Sequence, residues 1–153
     1  MKKFSLVKKL TVFAVCFAVI PLFAAEEPDY IPYELDKLIH NIERPCEPVI
    51  TDDYIIFTAD TSNRFVGIAF DFENYQTIHP FKLLQSINED GKKTPKHLFY
   101  CYERTHKISS IRYRLIIDGL WTTDPLNPLK EYDDTVNLEF SYVQAPEVIK
   151  QNT

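Results

Sequence analysis

Hydrophobic residues recur along this chain with two different periods. In residues 31–43, Leu35, Leu38, Ile39 and Ile42 fall at helical spacing, with Glu34, Asp36, Lys37 and Asn41 on the other faces. Pro32 suits a first helical turn, and Pro45 ends the run. From Cys46 onward the period shortens to two. Residues 54–58, 65–70, 80–85, 97–103, 111–117 and 135–143 then read as strands, with polar turn signals between them. Short strands broken by frequent turns predict an all-β fold, an antiparallel sandwich preceded by one short amphipathic helix. No internal repeat or linker divides the pattern. The expected layout is a helical extension over 26–50, a sandwich over 51–144 and a polar, frayed tail over 145–153.

The first residues follow a different rule. Lys2, Lys3, Lys8 and Lys9 precede an almost wholly apolar run over 10–23, and Ala24 and Ala25 come before Glu26. This is the layout of a signal peptide over 1–25, and the run is shorter than the roughly 20 residues that span a bilayer. Cleavage near Ala24 or Ala25 would export the protein to the periplasm or the medium. Leu22 or Phe23 at the third position before the cut is larger than the usual residue, so an uncleaved anchor is the second reading and the one expected membrane contact. Losing four of the 17 basic residues leaves 13 against 22 acidic ones. That balance argues against nucleic acid as a partner. Two cysteines remain, Cys46 and Cys101. Export permits a bridge between them, two separate thiols are the other reading, and spacing does not choose.

Little in the chain suggests catalysis or a cofactor. His40, His79, His97 and His106 are scattered, with no pair at metal-ligand spacing. Three glycines could hardly build a phosphate loop. Asp52-Asp53 and Asp133-Asp134 lack the pattern of a calcium loop. The informative stretch is 111–137. Asp118-Gly119 between apolar runs predicts a tight hairpin, and Trp121, the one tryptophan, follows it. Alternation puts Tyr113, Leu115 and Ile117 on the core face, and Arg112, Arg114 and Ile116 on the other. An indole and guanidiniums on one rigid face suit stacking on a sugar, with hydrogen bonds from the planar fork. The plainer reading is a tryptophan folded over a sheet edge beside solvated arginines.

The run Tyr113-Arg114, Ile117-Asp118-Gly119, Trp121, Asp124-Pro125, Asn127-Pro128 and Val136-Asn137 resembles the glycogen-binding module of the AMP-activated protein kinase β subunit. The same pattern marks the N-terminal modules of isoamylases and branching enzymes. The likeness extends upstream, where residues 66–75 sit in place of a strand and loop of that family. It implies an early-set, immunoglobulin-like sandwich. It also implies sugar contacts: Trp121 and Tyr75 as stacking platforms, Arg114 in place of a lysine, and Asn137 bonding hydroxyls. Asp118, Gly119, Asp124 and Pro125 would be turn formers. Four departures stand out. Tyr75 replaces a tryptophan, Phe70 a loop glycine and Glu73 an asparagine, and Asp133-Asp134 occupies a position where the family often carries an apolar wedge. Two non-catalytic functions follow as expectations. One is an interaction or structural module of the cell envelope, engaging a protein through the helix or the acidic turn at Asp133. The other is carbohydrate binding through Tyr75, Arg114, Trp121 and Asn137.

Overall fold

The computed structural model describes residues 31–104 and 109–144. The expected leader, the residues that follow it up to 30, His106 and the tail from 145 lie outside the described residues.

Ten strands among these residues build two antiparallel sheets: β1 (Val49–Ile50), β2 (Tyr54–Ala59), β3 (Val66–Phe70), β4 (His79–Pro80), β5 (Lys82–Ile87), β6 (Lys93–Glu103), β7 (Ser110–Ile117), β8 (Leu120–Thr122), β9 (Lys130–Asp133) and β10 (Leu138–Gln144). One sheet runs β1-β2-β6-β5. The other runs β4-β3-β7-β10-β9, with β8 paired to the second half of β7. The result is the all-β, immunoglobulin-like sandwich that the alternation predicts, with one helix, α1 (Tyr33–Asn41).

The period-two residues meet between the sheets. Ile55 and Phe57 of the four-stranded sheet pack on Ile68, Phe70, Ile111, Tyr113, Leu115 and Val143 of the six-stranded sheet. Phe57 meets Tyr113 edge-on, with ring centroids 4.8 Å apart, a favoured aromatic geometry. Burying a side chain of this size contributes about 1.5–3 kcal/mol. A second cluster covers the far face of the four-stranded sheet. There Leu35 and Ile39 of α1 pack on Ile56, Leu84 and Phe99. Covered on both faces, β2 buries Ile55, Ile56 and Phe57 in succession, which is why it reads as a continuous apolar run. The helical stripe is thus used inside the fold.

A polar network lies at the edge of the core. Tyr113 Oη donates to Asp124 Oδ2 (2.8 Å) and accepts from Asn127 Nδ2 (2.9 Å). Asp124 N donates to Ser141 Oγ, and Leu126 N to Asp124 Oδ1. Burial raises the Asp124 carboxyl and the Tyr113 phenol above their usual ranges. Asp124 therefore does more than form a turn: it ties the β8–β9 loop to the core.

The structure departs from the sequence reading at two places and decides a third that was open. The expected strand over 80–85 is divided between sheets: β4 pairs with β3, β5 pairs with β6, and the chain crosses at Phe81. Phe81 N donates to Val66 O at 2.8 Å, and Pro80, without an N–H, sits on the edge strand. The last strand begins at Leu138, and the polar run Lys130–Asp133 ahead of it pairs as edge strand β9. Of the two readings open for the cysteines, Cys46 and Cys101 are separate free thiols. Cys101 belongs to the cluster beneath α1, where burial pushes its thiol up to about 12. The Cys46 backbone is held by paired hydrogen bonds to the Thr58 hydroxyl at 2.8 Å.

Candidate functional site

The outward face of the six-stranded sheet looks away from α1. Its axis is β7, where Arg112, Arg114 and Ile116 alternate with the core residues. At the end of β7, Ile117 pairs with Leu120 across a two-residue turn, with φ of 49° at Asp118 and 88° at Gly119. Two positive φ values define the primed turn whose twist matches the flanking strands. Asp118 also anchors the hairpin. Its Oδ1 accepts from Arg64 N (3.0 Å) and Phe65 N (2.9 Å), and its own N–H donates to Phe65 O.

This turn sets Trp121 opposite Ile116, which in turn lies opposite Gly67. A Cβ at Gly67 would come within 2.6 Å of Ile78 Cγ2, so glycine lets Ile78 lie close over the sheet. Trp121 remains 42% exposed. The Arg114 guanidinium carbon lies 5.8 Å from the indole centroid, and Arg114 Nη2 donates to Trp121 O at 3.3 Å. Such a stack holds the cation and ring as one unit.

Tyr75 reaches the same face by a different route. A short 3-10 turn, Asp71–Glu73, is followed by two left-handed residues, Asn74 (φ 53°) and Tyr75 (φ 58°). Tyr75 N donates to Phe70 O at 2.9 Å. The Tyr75 ring stacks on Phe140, centroids 5.4 Å apart. Burial and the nearby Asp71 push its phenol up to about 12. Arg112 lies 5.3 Å over the same Phe140 ring, between Asp71 (3.5 Å) and Asp133 (3.3 Å). The carboxylate of the acidic turn is therefore engaged: Asp133 also accepts from Thr135, which holds its carboxyl below the usual range.

Asn137 sits in the β9–β10 connection at φ 55°, with its Oδ1 accepting from the Tyr132 hydroxyl. Of the four residues expected at the site, Tyr75, Arg114 and Trp121 share the sheet's outward face. Asn137 lies at its rim, its carbonyl already taken by Tyr132. Phe140 and Arg112 belong to the same surface and were not among the expected contacts, whereas Tyr132, paired with Glu139, alternates to the other face of β9. Alternation already placed Arg112 beside Arg114; Phe140 joins them through the β7–β10 pairing.

The altered loop also has a structural reason. Phe70, standing for the family's glycine, is fully buried and stacks on Phe72 with centroids 5.0 Å apart. Glu73 Oε2 lies 2.7 Å from His79 Nε2. Among the described residues, no group of three acidic, histidine or cysteine side chains could hold a metal ion. No helix among them is long and apolar enough to cross a membrane. The chain matches none of the protein-family models compared with it, and no curated protein matches its sequence.

Proposed function

We propose that this chain is an exported, non-catalytic binding module of the glycogen-binding, early-set kind, which holds a carbohydrate on the outward face of the six-stranded sheet. The observation that carries the reading is the placement of Trp121: partly open, clamped by Arg114, and on the face away from α1. An indole fixed in this way offers a sugar ring a flat surface without paying to order it, and Tyr75 on Phe140 supplies a second ring on that face. Arg114 offers further donors, and the Asn137 amide supplies a polar group at the rim. The protein-partner reading loses the features it rested on, because the α1 stripe packs on the sheet and Asp133 is held by Arg112 and Thr135. It keeps one argument, the exposed apolar side chains Leu120, Trp121 and Phe65.

Tryptophan fluorescence tests the proposal directly, since Trp121 is the single reporter. Titration with maltoheptaose, cyclodextrin and peptidoglycan fragments should give a saturable change with at least one of them. Trp121→Ala, followed by calorimetry, should abolish that binding while leaving the fold intact. Arg114→Gln should weaken it roughly tenfold, the loss expected for one charge-assisted hydrogen bond. Flat traces with all three ligand classes sink the carbohydrate reading and leave the protein partner.

A further inference from the structure

The sandwich is open at one end. A cavity of about 280 Å³ enters there, between the end of β2, the end of β7, the β8–β9 loop and the segment after α1. Its walls are apolar: Ala59, Leu115, Ile117 and Leu126. The buried carboxylate that reaches it, Asp124, has one oxygen taken by Tyr113 Oη and the other by Leu126 N. Both its oxygens are thus already engaged in the protein's own network.

The mouth has a different character. Its exposed lining residues are Arg44, Asp60 and Pro125, joined by the half-buried amide of Asn63. No ion pair engages Arg44 or Asp60 among the described residues. Asp60 Oδ1 accepts from Ser62 N at 2.7 Å, and the backbone and hydroxyl hydrogen bonds of Ser62 hold this exposed carboxyl below its usual range, while its two oxygens keep lone pairs for a further donor. Asn63 Nδ2 donates to Asp60 O at 3.1 Å, so its own carbonyl also stays available. One cation, one anion and one amide acceptor therefore stand around an apolar recess. A plain fatty acid would match Arg44 and leave Asp60 opposing it. An amine would do the reverse. A zwitterion with an apolar body matches both charges.

Size agrees with that chemistry. At about 30 Å³ for each water-sized group, the cavity holds roughly nine such groups, enough for the side chain of a large apolar amino acid. We propose that this cavity binds a free apolar α-amino acid, with its carboxylate at Arg44, its ammonium at Asp60 and its side chain inside the sandwich. This site is separate from the outward face of the six-stranded sheet and does not depend on the carbohydrate reading.

Isothermal titration calorimetry on the full chain tests the proposal with L-phenylalanine and L-leucine as probes. One-site, saturable heat is expected for at least one of them. N-acetyl-L-phenylalanine, which lacks the ammonium, and L-phenylalaninamide, which lacks the carboxylate, should each bind roughly tenfold more weakly. Arg44→Gln and Asp60→Asn should reproduce those two losses separately. Both are exposed substitutions, and unchanged circular dichroism and thermal midpoint would verify the fold. Leu126→Trp, which fills the recess, should remove binding, whereas Trp121→Ala should leave it unchanged. No saturable heat with either amino acid overturns the proposal. So does binding of the acetylated and amidated probes as tightly as L-phenylalanine itself, or undiminished binding by Leu126→Trp.

Discussion

Tyr113 shows how one side chain can belong to two systems. Its ring fills the middle of the core against Phe57, while its hydroxyl reaches Asp124 and Asn127. Both partners are almost fully buried, Asp124 at 1% and Asn127 at 3% exposure. Tyr113→Phe keeps the ring and leaves a buried carboxylate oxygen without its donor. An orphaned buried acceptor costs about 1–3 kcal/mol, and urea unfolding of the variant should show a loss of that size. An unchanged midpoint would mean that water reaches Asp124. Alternation put Tyr113 on the core face, but Asp124 and Asn127 looked like ordinary turn residues beside prolines. Nothing local reveals that their loop folds back onto a tyrosine more than ten positions earlier. The site residues divide in the same way. Trp121 and Arg114 were legible because strand alternation and a primed turn place them. The posture of Tyr75 was not, because it depends on two successive left-handed residues that only the buried Phe70 and the ring of Phe140 hold in place.

At the scale of elements, α1 is the clearest case of a pattern whose use depends on its neighbour. Its stripe reads first as packing on the domain behind it, with a partner protein as the second use, and nothing local names the surface it meets. The four-stranded sheet offers Ile56, Leu84 and Phe99 on that side, and Leu35 and Ile39 bury against them. Glu34 and Asp36 in the first turn add a favourable interaction with the helix dipole. Ile39→Ala should therefore cost about 2–5 kcal/mol, the range for a large aliphatic removed from a packed site. Chemical denaturation would measure it. A loss below about 0.5 kcal/mol would show that α1 lies outside the cooperative unit. Leu38 and Ile42 border the same cluster, so charges placed there should destabilise the fold before they affect any partner. The β7–β8 hairpin behaves differently: Asp118-Gly119 announced its turn because positive φ is a local requirement.

For the molecule as a whole, His97 links stability to pH. It is fully buried, with neither ring nitrogen hydrogen-bonded. Burial, helped by Lys96 and His40, holds its pKa below the usual histidine value of 6.5. Below pH 6.5 the unfolded chain takes up a proton that the folded chain refuses, so the unfolded state gains. The contribution is complete above about pH 6.5 and is lost as pH falls toward the folded pKa, at no more than about 1.4 kcal/mol per pH unit. Thermal midpoints should fall between pH 7.5 and 5.5, and His97→Leu should flatten that slope. Equal slopes in the two proteins would assign the effect to other groups. At lower pH, Asp60 and Asp133, whose pKa values are depressed, lose their contributions, while buried Asp124 shifts in the opposite direction.

Local chemistry alone set several features of this protein. The periods of 3.6 and two specified one helix and an antiparallel sandwich, Asp118-Gly119 specified a hairpin, and alternation along β7 specified which arginines face outward. Each depends on residues within a few positions of one another, where backbone geometry leaves few choices. Tertiary structure decided the rest: the burial of the α1 stripe, the division of the 80–85 run between two sheets, the free thiols of Cys46 and Cys101, the stacking of Tyr75 on Phe140 and the recess behind Arg44. These depend on contacts between segments far apart in sequence. Such contacts form only when two sheets close on one core, and no short window of residues carries that information.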